Sequence, residues 1–128
     1  MTEITVAATQ MACSWDTGDN LARAEKLVRE AAGRGAQIVL IQELFETPYF
    51  CIEQEYKHLD LARPVDDCPL IERMARLAAE LEVVLPVSWF ERAGNAFFNS
   101  VDPLAATAAP GCERAAPAAR DGDQRRGH

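Results

Sequence analysis

The run Ile38-Val39-Leu40-Ile41 constrains this chain more than any other feature. A short, wholly apolar run reads as a strand covered on both faces. Upstream of it, Leu21, Ala24, Leu27, Val28 and Ala31 recur at helical spacing, while Arg23, Glu25, Lys26, Arg29 and Glu30 fill the other face. That pattern predicts an amphipathic helix that packs on one side. Asp19 or Asn20 offers a capping oxygen to the first turn, and Gly33 and Gly35 can take the left-handed conformation that ends a helix. Ile4 to Gln10 is β-branched at its start and apolar through Ala8, which predicts a buried strand. Strand, helix and strand then form a βαβ unit with parallel strands. The fold class is α/β. Chemistry in such folds gathers at the carboxyl ends of strands, where Gln42 and Glu43 stand.

Further along, Pro48, Tyr49 and Phe50 suggest a loop folding back on the protein, and Glu53 to Leu61 a short helix. Asp66 or Asp67 is placed to cap a second helix from Pro69, with Leu70, Ile71, Met74, Ala75, Ala78 and Leu81 as its apolar stripe. Strands are expected at Gln37–Gln42, Val83–Arg92 and Ala96–Val101, the last two joined by a turn at Ala93-Gly94-Asn95. Pro86 implies an edge, a strand end or a bulge, because it cannot donate to a ladder. After Val101 the composition changes to Ala, Pro, Gly, Arg and Asp, with Leu104 the only large aliphatic residue. Such a segment buries too little apolar surface to offset its chain entropy. The expectation is a domain over residues 1–101 and a disordered tail over 102–128.

A length of 128 residues suits one domain, and 48% hydrophobic residues suffice for a core. A net charge of −7 disfavours nonspecific nucleic-acid binding, since phosphates are repelled. No stretch approaches the roughly 18 apolar residues of a membrane span. The start has no signal-peptide anatomy, so a cytoplasmic protein is expected. Cys13, Cys51, Cys68 and Cys112 show no paired metal spacing, and neither a metal nor another cofactor is expected.

Glu43 is the one catalytic candidate from position alone, against the plainer reading of a solvated carboxylate at a strand end. Glu46 reads as a turn-stabilising group. Cys51 lacks an adjacent base to lower its thiol pKa, and His58 reads as a surface residue. Trp15 and Asp16 either line a site or cover the core edge. Tyr49 and Phe50 either shape a substrate pocket or latch the loop.

Gln37 to Cys51, QIVLIQELFETPYFC, resembles the nitrilase superfamily of carbon–nitrogen hydrolases. Within it, Gln42-Glu43-Leu44-Phe45-Glu46 and Tyr49-Phe50-Cys51 are similar to the N-carbamoylputrescine amidase branch. Val6 to Met11, Val84 to Arg92 and Phe98 to Val101 are similar to further family motifs, in the family's order. The resemblance implies the N-terminal part of an αββα sandwich that forms homo-oligomers. It also implies a Glu–Lys–Cys triad acting on a small carbamoyl or amide substrate. Cysteine attacks as a thiolate, glutamate is general base and acid, and lysine stabilises the oxyanion. In this branch the products are putrescine, ammonia and carbon dioxide.

Glu43 matches the catalytic glutamate, with Phe45, Tyr49 and Phe50 expected to wall a concavity around it. No lysine follows Lys57, and Cys112 lacks the family's context. The resemblance thus leaves two triad roles unfilled, and a frameshift or misplaced gene end near residue 101 is expected. The alternative is a non-catalytic remnant. In either case an uncovered sheet should make the chain poorly soluble or partly molten.

Overall fold

The computed structural model describes residues 2–49, 56–105 and 113–117. The expectations for Phe50, Cys51, Cys112 and most of the tail fall outside the described residues.

The apolar run becomes β2 (Ile38–Leu40), parallel to β1 (Val6–Ala8) in the register Val6–Ile38, Ala7–Val39 and Ala8–Leu40. Between them lies α1 (Thr17–Gly33). The strands are shorter than the apolar pattern suggested, because the backbone leaves the ladder before the apolar sequence ends. The cap of α1 also differs from expectation. Asp16, not Asp19 or Asn20, accepts from the Asp19 amide at 3.0 Å, so the helix starts earlier than its apolar stripe. Arg34 closes the helix, and Gly35 follows with φ +95°.

α2 (Pro69–Leu81) begins with proline, and Cys68 precedes it with no side-chain cap. Asp66 and Asp67 belong instead to a 3-10 turn, Val65–Asp67. Proline brings no N–H to the first turn, so one fewer donor needs a cap. Tyr56–Leu61 is a short 3-10 helix, within the Glu53 to Leu61 stretch where a short helix was expected.

β3 (Leu85–Ala93) and β4 (Ala96–Leu104) form the expected hairpin, with Ala93 paired to Ala96. Gly94 has φ +60° in the two-residue turn, a conformation that glycine adopts without strain. Val84, just ahead of β3, exchanges backbone hydrogen bonds with Gln37 (2.9 Å) and Val39 (3.0 Å). That bridge joins the two strand groups into one sheet. Beyond the end of β2, Arg63 takes its place beside β3 by pairing with Glu91.

The break expected after Val101 lies inside β4, which runs on to Leu104. Alternation turns Ser100, Asp102 and Leu104 towards the helices, and Leu104 joins the core. Residues Glu113–Pro117 form β5, antiparallel to β4, where an unstructured tail was expected. The unpaired edge of β4 offers these residues a ladder that their composition alone does not reveal.

Both helices cover one face of the sheet. Ala24 and Val28 from α1, Met74 and Ala78 from α2, and Val39, Leu85 and Val87 from the strands are all fully buried there. The opposite face carries Ile4, Val6 and Leu40, exposed by 60%, 66% and 53%. No described helix is long and apolar enough to cross a membrane.

Candidate active site

β2 ends at Leu40, and the chain then turns sharply through Glu43-Leu44-Phe45-Glu46. Leu44 has φ +52°, a left-handed conformation that a branched side chain adopts only under constraint. Three contacts supply that constraint. The Leu44 side chain is buried against Ala62 and Phe90. Its amide donates to Ser88 Oγ on β3 at 2.8 Å. Phe45, fully buried, anchors the next residue in the helix-side core.

The turn puts Glu43 on the sheet's open side. Asn99 Nδ2, on β4, donates to Glu43 Oε1 at 3.4 Å. Glu43 is exposed, and it lines neither of the two cavities described below. The expectation that it points into a concavity is therefore corrected: beyond the Leu44, Ala62 and Phe90 cluster its carboxylate lies at the surface. Phe45 braces the turn from behind, Tyr49 is 46% exposed, and Phe50 lies outside the described residues.

Asn20 is a residue whose part the sequence did not disclose. Fully buried in the first turn of α1, it accepts from the Ser14 amide at 3.0 Å. Its Nδ2 donates to the carbonyls of Ser14 (2.6 Å) and Glu46 (2.9 Å). One side chain thus ties the loop after β1 to the loop after β2. The available signal was an asparagine close behind an N-cap, which suggested only a cap. Gln42 makes a parallel link, with its Oε1 accepting from the Met11 amide at 2.7 Å. Cys13 donates to the Phe45 carbonyl at 3.1 Å. Burial raises the Cys13 thiol, against a smaller opposing pull from Arg23. Cys68 is raised by burial too. Neither thiol is disposed to ionise as a nucleophile.

Trp15 stacks on His58, with ring centroids 5.5 Å apart. His58 is buried, not the surface residue expected, because that stack covers it. Glu46 borders a small cavity of about 110 Å³ with Thr17, Asp60, Arg63 and Trp89. Burial pushes its carboxyl up, and the Arg63 charge partly opposes this. A wider open groove of about 380 Å³ lies along β1 and α1. Among the described residues, no group of three His, Cys, Asp or Glu is placed to hold a metal ion.

What this arrangement can do is present one carboxylate, met by Asn99, on the open side of the sheet.

The carbon–nitrogen hydrolase family model matches residues 5–108. The N-carbamoylputrescine amidase of Solanum lycopersicum is 54% identical over 98 residues, covering 77% of this chain and 33% of that protein. The citrullinase of Francisella tularensis is 41% identical over 101 residues, covering 79% of this chain and 35% of that protein. The chain thus spans about a third of the length of the curated relatives it matches. Among solved structures, a carbon–nitrogen hydrolase from Helicobacter pylori G27 superposes with a TM-score of 0.73 at 25% identity, over 87% of this chain and 39% of that one. The Xanthomonas campestris protein XC1258, of the same superfamily, gives 0.74 at 20% identity, over 89% and 41%.

Proposed function

The chain belongs to the carbon–nitrogen hydrolase family, and from that membership we propose that Glu43 is the general base of a hydrolase acting on a small carbamoyl or amide substrate. The observation that carries this reading is the turn after β2. It spends backbone strain at Leu44 to present a carboxylate at a strand's carboxyl end, and such strain gathers at functional sites. N-carbamoylputrescine is the substrate we propose, on the strength of relatives such as the Solanum amidase. Water and N-carbamoylputrescine would give putrescine, ammonia and carbon dioxide. Glu43 would take the proton of an attacking thiol and return it to the leaving nitrogen. Exposed Tyr49, close behind the turn, would meet the substrate. Free thiols at Cys13 and Cys68 support a cytoplasmic setting.

The thiol and the oxyanion-stabilising lysine of this chemistry have no counterpart among the 128 residues, since no lysine follows Lys57. A second reading follows: this chain alone is non-catalytic, and its family sequence breaks near residue 101. If no frame of the downstream DNA encodes the lysine and cysteine motifs, a frameshift is excluded.

The test is a hybrid in which this chain's residues replace the matched segment of the Solanum amidase. The hybrid should release ammonia from N-carbamoylputrescine faster than from citrulline, and the 128-residue chain should release none. An inactive but folded hybrid counts against the proposed activity. A preference for citrulline overturns the substrate, and ammonia from the chain alone overturns the second reading.

A further inference from the structure

We propose that Ser88 is a positioning residue for Glu43, acting through the strained peptide that joins Glu43 to Leu44. This rests on the reading of Glu43 as the base.

The Leu44 amide is the N–H of the peptide whose carbonyl belongs to Glu43. Whatever holds that N–H fixes the plane from which the Glu43 side chain departs. Ser88 Oγ accepts from it at 2.8 Å, and both residues are buried. The backbone closure within this turn, from the Thr47 amide to the Leu44 carbonyl, is long at 3.4 Å. A left-handed conformation costs a branched residue roughly 1–2 kcal/mol. Without an acceptor for its amide, Leu44 would gain by relaxing to negative φ, and Glu43 would swing with it.

Register explains why a serine on β3 can do this. Ser88 lies on the sheet's open face, as do Phe90 and, on β4, its partner Asn99. Phe90 packs on the Leu44 side chain, and Asn99 reaches the Glu43 carboxylate at 3.4 Å. Three neighbouring positions on one face therefore grip the turn by its amide, its side chain and its carboxylate. Ser88 is the one whose hydrogen bond is both short and buried.

The experiment compares Ser88→Thr with Ser88→Val, which have the same shape and differ only in the hydroxyl. In the active hybrid, Thr should keep most of kcat. Val should lose about tenfold to a hundredfold in kcat, with KM changed by less than about twofold. In the 128-residue chain, hydrogen exchange should show the Leu44 amide protected with Thr and unprotected with Val. The amides of Val39 and Val84, in the bridge between β2 and β3, should be equal in both. Equal kcat for the two variants, or a Leu44 amide still protected with Val, would overturn the inference. The exchange result does not depend on the role of Glu43. A hybrid that stays active with Glu43→Gln would sink the base assignment and leave the link from Ser88 to the turn standing.

Discussion

The same strands build two unlike faces. On the helix-covered face Val39, Met74, Leu85 and Val87 are 0% exposed, while on the other Val6 is 66% and Leu40 53% exposed. Strand propensity cannot account for the contrast, because Val39 and Leu40 are consecutive residues of β2. Whether a second layer covers the face accounts for it. Burial on the helix side removes apolar area from water at roughly 25 cal/mol per Å², and the open side forgoes that gain. The covered face holds the fold together, and the open face carries the candidate chemistry.

The largest expected effect is a direct contrast in stability. Met74→Ala should cost about 2–5 kcal/mol in urea unfolding, whereas Leu40→Ala should change stability by no more than about 0.5 kcal/mol. Equal losses would erase the distinction between the faces. Next is solubility. The chain should bind a hydrophobic dye and aggregate, and replacing Ile4, Val6 and Leu40 together with Thr should reduce both. Uniform strong hydrogen-exchange protection from Ile4 to Val101 would instead show that the face needs no cover.

Titration sharpens the contrast at the boundary between the faces. Burial holds the Glu46 carboxyl above its ordinary value. A carboxyl raised on folding costs stability wherever it is ionised in both states, and the cost fades as pH falls through the folded value. Glu46→Gln should therefore raise the urea midpoint at neutral pH, with the two chains converging in acid. A gain independent of pH would contradict this account.

The smallest effect is on the helix surface. Arg29 and Arg73 hydrogen-bond to Glu25 and lower its carboxyl. The stability this contributes is present above the unfolded value and lost as pH falls through the folded one. Glu25→Gln should cost less than about 1 kcal/mol, since water screens the pair, and high salt should remove the difference.

Periodicity disclosed the elements whose apolar residues serve one purpose. The stripe of α1, the run of β2 and the hairpin at Gly94 were all legible for that reason. Asn20 was not, because its role depends on two loops that only the fold brings together. Leu44 was not, because a left-handed leucine leaves no mark on composition. Burial of the Leu44 side chain and the Ser88 hydroxyl over-determine its backbone, and the hydroxyl acts across 44 residues of sequence. β5 was missed because strand pairing at a sheet edge uses backbone groups that every residue has. Glu43 was located by its place after β2, and its exposure matches the plainer reading of a solvated strand-end carboxylate, not the concavity expected from the resemblance.

The central claim is that the turn after β2 presents the base of a carbon–nitrogen hydrolase. Glu43→Gln in the hybrid, assayed for ammonia release from N-carbamoylputrescine alongside thermal unfolding, tests it most directly. The account predicts that turnover is abolished while the unfolding temperature stays within about 2 °C, since an exposed residue contributes little to stability. Retained turnover at an unchanged unfolding temperature would contradict it.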